Sequence, residues 1–278
     1  MPPAVAEALG ATAASVYALL HPRRRCVVVD NLLPVLEGDT ARARACAYRL
    51  FRQFGRKLAA LLRHESGAPM RYAPAEWSGW QHLDGPLKRR QGILLVTLHL
   101  GDWEFGGALL ARLGLPLVIL TQAEPGNGFT ELRQVARRRE GIDTVVVGSD
   151  PFAFIEVIRR LQEGALVALL IDRPQPAGTV EVTLFDRPFR ASVAAADLAR
   201  ATGCCLLPVY VVRTADGCAA HMLPEIPYDR PALGNRESRR GLTGEILRAF
   251  EPVIRQYPDQ WYHFIPIWPE VPSDHGSG

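Results

Sequence analysis

The sequence predicts an α/β fold: a mostly parallel central sheet flanked by helices, behind a helical N-terminal region. Short apolar runs recur from residue 92 onward, and segments with helical spacing separate most of them. Strands that helices cover on both faces have continuous apolar runs of this kind rather than alternating ones. The runs are GILLVTL, LPLVIL, DTVVVG, ALVALLI and CLLPVYVV.

The segments between the runs end in a way that is typical of helices. Four of them have a glycine just past the last apolar position, where a left-handed backbone conformation commonly closes a helix. The resulting order of strand, helix and strand favours parallel pairing in one open sheet. The four segments are FGGALLARLG, FTELRQVARRREG, PFAFIEVIRRLQEG and SVAAADLARATG.

Residues 1–65 form the predicted helical region. Residues 37–62 have helical spacing, with Asp39 or Thr40 as the N-cap. An apolar helical face also recurs in the first twenty residues, and it consists of Val5, Leu9, Ala13, Val16 and Leu20. Two interpretations of this face stay open: a helix packed on its own domain, or an interfacial helix whose basic end, HPRRR, meets lipid headgroups. Residues 65–90 are rich in Gly, Pro and Trp and are predicted to be irregular.

Composition indicates a globular protein. The 278 residues are 48% hydrophobic and 22% charged, and a chain of this length can form one large domain or two small ones. We expect a single domain over residues 1–270, with the sheet core in 90–270 and a disordered tail at 271–278. The net charge of +3 is too small to indicate a nucleic-acid partner, although basic clusters suit phosphates or an anionic membrane surface. The five cysteines lack metal-binding spacing, so we interpret them as reduced thiols and predict no metal site. No signal peptide and no transmembrane helix are predicted.

One histidine interrupts the pattern at the end of the first apolar run. His99 follows GILLVTL, at the strand end where open α/β folds bind ligands. A buried imidazole is unfavourable unless its ring nitrogens have partners. Glu104 is near enough in sequence to accept from one ring N–H, which would leave the other nitrogen as a general base. The alternative is a capped helix start, with Asp102 as the N-cap and Glu104 in the first turn.

The block LVTLHLGDWEFGG, with His99 and Glu104 as an HxxxxE motif, resembles the signature of the bacterial lipid A late acyltransferases. It is also similar to the phosphatidylinositol mannoside acyltransferases. Further blocks follow in the family's order: Arg137 and Arg139 as its R-x-R element, then ALVALLIDRPQPAGTVEVTLFDRPF with Asp172 at the acid position, then YPDQWYHFIPIW. The resemblance extends over residues 20–268 and implies a glycerolipid acyltransferase-like fold.

The resemblance implies transfer of a fatty acyl group from an acyl thioester, acyl-ACP or acyl-CoA, to a hydroxyl of a lipid or glycolipid, with no other cofactor. His99 would deprotonate the hydroxyl, and Glu104 would stabilise the imidazolium that forms. The oxyanion would meet backbone N–H groups in the turn at Gly101, Asp102 and Trp103, together with an arginine.

Four further residues are predicted to bind or organise. Arg137 or Arg139 would hold the oxyanion or an acceptor phosphate, and the alternative for each is a solvent-facing helix end. Asp172 would organise the site, although an N-cap or an ion pair with Arg173 would also account for it. Glu181 is a second predicted organiser, with a plain strand-edge charge as its alternative.

Partners and location follow from the same resemblance. We expect a protein bound peripherally to an anionic surface at the cytoplasmic face of the inner membrane, with an acyl carrier protein as one of two donors. Two other functions stay open: a thioesterase or esterase that uses water, and a non-catalytic lipid- or carrier-binding module. A GxSxG motif is absent from the sequence, which argues against an α/β-hydrolase. The aromatic C-terminal segment is core packing or a lining for the acyl chain.

Overall fold

A computed structural model describes residues 1–68, 76–115, 117–122, 127–147, 152–174, 178–215 and 217–269. It confirms the predicted α/β class, with a seven-stranded, mostly parallel sheet and a helical N-terminal region. The helices are α1 (Pro3–Leu20), α2 (Pro22–Leu32), α3 (Thr40–Glu65), α4 (Trp80–Lys88), α5 (Trp103–Arg112), α6 (Asn127–Arg139), α7 (Ala153–Gln162), α8 (Ala194–Thr202) and α9 (Arg236–Gln256). The strands are β1 (Glu76–Ser78), β2 (Ile93–Thr97), β3 (Leu117–Gln122), β4 (Asp143–Val147), β5 (Leu166–Leu170), β6 (Thr179–Leu184), β7 (Arg187–Ser192), β8 (Cys205–Thr214) and β9 (Gly217–Met222).

The sheet has the strand order β1-β9-β8-β2-β5-β3-β4, and β6 and β7 form a separate antiparallel hairpin. Within the described residues, β8 and β9 are the antiparallel pair of the large sheet. Strand β2 lies between β8 and β5 and is parallel to both. Thr97 of β2 is in register with Leu170 of β5, so the residues that follow these strands emerge side by side at one sheet edge.

Both faces of β2 are buried, which explains its uninterrupted apolar sequence. Leu94 and Val96 belong to the core cluster that contains residues of α8 and α9. Ile93 and Leu95 belong to the opposite cluster, with residues of α4 and α5. A strand covered on both faces in this way favours apolar side chains, and its first polar residue, Thr97, is the one at its end.

The predicted strand runs and glycine helix ends are confirmed. All five runs contain strands, which are β2, β3, β4, β5 and β8. The glycines that follow α5, α6, α7 and α8 all have positive φ: Gly114 at 75°, Gly141 at 74°, Gly164 at 85° and Gly203 at 70°. These positions stop each helix and turn the chain back toward the sheet.

The prediction that residues 65–90 are irregular is wrong for 76–78 and 80–88, which form β1 and α4; residues 69–75 lie outside the described residues. Helix α4 contains Gly85 and Pro86, which weaken its helical pattern in the sequence. Tertiary burial compensates for this weakness, because Leu83 is fully buried in the cluster beneath the sheet.

The N-terminal helices pack on each other through small residues. Ala6, Ala11 and Ala18 are the buried positions of α1. Gly10 of α1 and Gly55 of α3 meet so closely that a Cβ on either would overlap the other's carbonyl oxygen. Helix α3 begins as predicted, because the Asp39 side chain accepts from the backbone N–H of Arg42 at 2.9 Å.

Helix α1 does pack on its own domain, but not through the face that the sequence singled out. All five residues of that face, Val5, Leu9, Ala13, Val16 and Leu20, are exposed, Leu20 at 71%. Among the described residues, α1 is also the one helix long and apolar enough to cross a membrane by length and composition alone, a test that core helices and signal sequences pass as well. The N-terminal region therefore presents a large apolar surface. That no helix spans a membrane stays a prediction.

The five cysteines are free, as predicted. Four are buried, and Cys26 is exposed on α2.

Candidate active site

His99 and Asp172 meet at the sheet edge where β2 and β5 end. The Nδ1 atom of His99 lies 2.7 Å from Asp172 Oδ1, and the His99 backbone N–H donates to Asp172 Oδ2 at 2.9 Å. The parallel register of the two strands produces this contact, since His99 and Asp172 occupy matching positions just beyond their ends. The pairing joins a histidine to a carboxylate 73 residues later in the chain.

Hydrogen-bond partners approach both oxygens of the buried Asp172 carboxylate. Its Oδ2 atom also accepts from Trp261 Nε1 at 3.1 Å and lies 2.9 Å from His263 Nε2. Burial acts to raise the pKa of this carboxyl group, but the neighbouring His99 and His263 outweigh it and hold the pKa of Asp172 well below its usual value. Asp172 is therefore ionised, and its organising position agrees with the prediction. The alternative N-cap or Arg173 ion pair is not seen.

The protonation pattern of His99 follows from this partner. Because Asp172 is an anion that can only accept, Nδ1 carries the proton and Nε2 has the free lone pair. Burial lowers the pKa of His99, and the charge of Asp172 opposes that shift without cancelling it. The ring is therefore neutral near pH 7, and its side chain is 18% exposed. A neutral imidazole with one oriented nitrogen can abstract a proton from a hydroxyl.

The predicted contact between Glu104 and His99 is wrong. Glu104 does lie in the first turn of α5, but its carboxylate turns toward α6, where Oε1 is 3.0 Å from Arg133 and Oε2 is 3.0 Å from Arg137. Trp103 Nε1 adds a third hydrogen bond at 3.2 Å. The helix start directs the side chain away from the imidazole and toward the guanidinium groups.

Glu104 is a buried anion among cations. Burial acts to raise its pKa, but Arg137, Arg133 and Lys57 together lower the pKa to about 2. Since guanidinium groups keep their charge at any physiological pH, this cluster is permanently charged. It supplies a fixed field and does not exchange protons.

Lys57 is a buried cation-forming side chain that the sequence analysis missed. It is 3% exposed, donates to the Gly101 carbonyl oxygen at 2.9 Å and lies over the Trp103 ring. Burial lowers its pKa well below the ordinary value, although Asp102 and Glu104 oppose the shift. Its position on a long amphipathic helix gave no signal, because lysines on such helices are ordinarily solvated.

The predicted oxyanion donors at Gly101 and Asp102 are already occupied. The Gly101 N–H donates to the Gln260 carbonyl oxygen at 2.8 Å, and the Asp102 N–H donates to the Val211 carbonyl oxygen at 2.7 Å. Gly101 has φ +62°, and a Cβ there would overlap the Val211 carbonyl oxygen. The turn is thus anchored to neighbouring backbone at Gly101 and Asp102, so an oxyanion would need donors other than these two N–H groups.

Asp102 holds the N-cap position of α5 but makes no capping hydrogen bond. Its buried carboxylate instead pairs with Arg213 at 3.2 Å, and Arg213 also pairs with Glu7 of α1 at 2.7 Å. Asp102 therefore links the catalytic edge to the N-terminal helix.

His99 opens into a cavity of about 240 Å³. Its lining combines charged side chains with apolar and aromatic ones, and it includes Lys57, Glu104, Arg133, Arg137, Arg173, Phe54, Leu58, Tyr262 and Phe264. Of the two predicted arginines, Arg137 lines this cavity. Arg139 lies on another side of α6, where it donates to the Glu65 carbonyl oxygen at 3.5 Å. Glu181 is exposed on β6 and is not brought to the cavity.

An apolar groove of about 680 Å³ runs between α1 and α3. It shares Phe54, Leu58 and Phe264 with the His99 cavity, so the two spaces adjoin. Its floor is the line of small residues around Gly10 and Gly55. Among the described residues, no group of three or more His, Cys, Asp or Glu side chains could hold a metal ion.

Comparisons with known proteins find a family and two relatives that are all described as acyltransferases. A sequence model described as "Bacterial lipid A biosynthesis acyltransferase" matches residues 1–269. The chain is also similar to two proteins named "Phosphatidylinositol mannoside acyltransferase", from Mycobacterium tuberculosis strains CDC 1551 / Oshkosh and ATCC 25618 / H37Rv. Each is 25% identical over 192 residues, which is 68% of this chain and 58% of the relative, so the match spans little more than half the length of these relatives.

Proposed function

The chain belongs to the bacterial lipid A biosynthesis acyltransferase family, and we propose that it transfers a fatty acyl group from an acyl thioester to a hydroxyl of a lipid or glycolipid. One observation carries the proposal: an oriented neutral imidazole, His99 on Asp172, opens into a cavity that joins an apolar groove. A long acyl chain needs an apolar groove, and an alcohol acceptor needs a general base.

In the proposed reaction, His99 Nε2 takes the proton of the acceptor hydroxyl as its oxygen attacks the thioester carbonyl carbon. Asp172 stabilises the imidazolium that forms, as the acid of a catalytic triad does. The tetrahedral intermediate then collapses, the C–S bond breaks, and the imidazolium returns its proton to the leaving thiolate. His99 is regenerated as a neutral base, and the acyl group is on the acceptor oxygen as an ester.

The negative charge in this reaction requires cationic donors. Arg137 uses part of its guanidinium on Glu104 and has further N–H groups for an anion. We assign Arg137 to the oxyanion or to an acceptor phosphate, since it lines the cavity. Glu104 then acts by holding the two arginines in place, and not by contacting His99.

The apolar groove is the proposed site of the donor's acyl chain. Phe54, Leu58 and Phe264 line both spaces, so the acyl chain of a thioester held at His99 would have adjoining apolar surface along α1 and α3. The same surface suits a peripheral membrane protein at the cytoplasmic face of the inner membrane. Leu9 and Val16 of α1 are exposed beside exposed arginines of α2, the pattern of a helix that lies in an anionic interface.

Product analysis tests the proposal. The purified chain would be incubated with labelled acyl-CoA or acyl-ACP, with and without anionic vesicles that contain a glycolipid extract. We expect labelled lipid ester only when the acceptor is present, and the better donor identifies the carrier. Free fatty acid as the only labelled product would indicate a thioesterase and overturn the proposal. Bound but unreacted donor would indicate a binding module instead.

A further inference from the structure

Asp172 has a second histidine partner that the proposed reaction does not use. His263 is 1% exposed, and its Nε2 atom lies 2.9 Å from Asp172 Oδ2. It comes from the C-terminal segment that crosses the sheet edge, where the Tyr262 N–H donates to the His99 carbonyl oxygen at 2.7 Å. The same backbone segment thus contacts both members of the His99–Asp172 pair.

The environment of the second ring nitrogen of His263, Nδ1, determines which tautomer the ring adopts. In the part of the chain that the structure describes, His263 Nδ1 is buried and has no hydrogen-bond partner. A proton there would be a buried N–H without an acceptor, which is unfavourable. Asp172 accepts only, so the proton lies on Nε2 and is donated to the carboxylate. A neutral imidazole of this form contributes a hydrogen bond without adding charge.

We propose that His263 is a positioning residue that fixes the Asp172 carboxylate and thereby presents its Oδ1 atom to His99. This inference rests on the proposed function, since it concerns the same base. The two carboxylate oxygens have different partners: Oδ2 takes N–H groups of the His99 backbone, Trp261 and His263, whereas Oδ1 takes the His99 ring. With Oδ2 saturated, the carboxylate cannot rotate away from the imidazole.

The same hydrogen bond moderates the basicity of Asp172. A carboxylate with more donors holds a proton less strongly, so the shared proton stays on His99 Nδ1. The charge of Arg173, next to Asp172 in the chain, also acts on this pair and lowers the pKa of His99. Trp261 adds a neutral donor. Loss of the His263 donor would make Asp172 more basic and raise the pKa of His99.

Substitutions at His263 test the proposal. His263→Gln keeps an N–H donor, whereas His263→Phe fills the space without one; His263→Met is the second donor-less variant, because its flexible side chain adapts to the site. We expect the donor-less variants to lose about 10- to 100-fold in kcat with KM unchanged, the loss expected for one hydrogen bond to a charged group. The glutamine variant should recover most of this rate.

A titration of the His99 ring by NMR, without substrate, separates this inference from the proposed function. We expect the donor-less variants to titrate at higher pH than the wild type, with His263→Gln close to the wild type. In the wild type, the nitrogen shifts of His263 should report the Nε2–H tautomer. An Nδ1–H tautomer, an unchanged His99 titration, or equal losses of rate and thermal stability in all variants would overturn the assignment. If wild-type chain titrates as expected but transfers no acyl group, the proposed function fails and this inference does not.

Discussion

The candidate site contains two buried carboxylates, Asp172 and Glu104, that have different partners. Asp172 contacts two imidazoles and an indole, whereas Glu104 contacts two guanidinium groups and an indole. Both carboxylates are ionised, but only imidazole gains and loses a proton near neutral pH. The difference assigns the proposed proton transfer to His99 and Asp172, whereas the two arginines on Glu104 supply fixed charge.

The largest expected effect is the loss of the base. His99→Gln should lower the rate of acyl transfer by about 10²- to 10⁴-fold, the usual contribution of a general base, while donor binding persists. Steady-state transfer from labelled thioester measures it. His82→Gln on α4 is the matched control and should leave the rate unchanged. A His99→Gln variant that keeps more than half of the wild-type rate would contradict the assignment.

The protonation state of His99 should also set the pH dependence of the reaction. Burial lowers the pKa of His99 below 6.5, and the neutral ring is the active form. The value of kcat/KM should therefore be flat around neutral pH and fall only as the pH drops through the lowered pKa of His99. An activity that still rises with pH above neutrality would contradict a neutral, buried base.

Glu104 should affect the stability of the fold more than it affects proton transfer. Its folded pKa of about 2 lies below the ordinary 4.5, so its stabilisation is present above pH 4.5 and is lost as the pH falls toward 2. Glu104→Gln should lower the free energy of unfolding at neutral pH by about 3 kcal/mol and remove this part of the acid dependence.

Urea unfolding at several pH values measures this difference. Glu163→Gln is the matched control, because Glu163 forms an exposed ion pair with Arg159 that contributes at most about 1 kcal/mol. If the two variants were equally stable, the arginine cluster would not be the stabilising element inferred here.

The smallest effect concerns the membrane. Leu9→Asp and Val16→Asp, both at exposed positions of α1, should weaken sedimentation with anionic vesicles and leave the fold intact. Leu113→Asp, an exposed apolar position after α5, is the control. Equal vesicle binding by all three variants, or binding that does not depend on salt, would contradict a peripheral electrostatic attachment through α1.

The sequence was sufficient for the five strands that lie in continuous apolar runs, β2, β3, β4, β5 and β8. An uninterrupted run such as ILLVT in β2 can be recognised locally, and so can the glycine that ends a helix with positive φ, such as Gly203. Helix α4 was missed because its stability depends on Leu83 contacting a strand far along the chain. Residues that weaken a helix, such as Gly85 and Pro86, can be recognised in the sequence, whereas the tertiary burial that compensates for them cannot.

The sequence predicted the residues of the candidate site better than it predicted which of them contact each other. His99 and Asp172 were both identified, but Glu104 was chosen as the partner because it is near in sequence. Strand register, not proximity in the chain, brings Asp172 to the imidazole. The R-x-R interpretation also ignored helical phase: residues four apart share a helix face, so Arg133 accompanies Arg137 and Arg139 turns away.

The direct test of the proposed mechanism compares the two buried carboxylates, Asp172 and Glu104, in one assay. Single-turnover transfer from a saturating acyl thioester would be measured for Asp172→Asn and Glu104→Gln against the wild type. We expect Asp172→Asn to lose nearly as much rate as His99→Gln, up to about 10⁴-fold, with donor affinity unchanged, because an amide favours the wrong tautomer of His99, and Glu104→Gln to lose far less. An Asp172→Asn variant within tenfold of the wild type, beside a Glu104→Gln variant without turnover, would contradict the account.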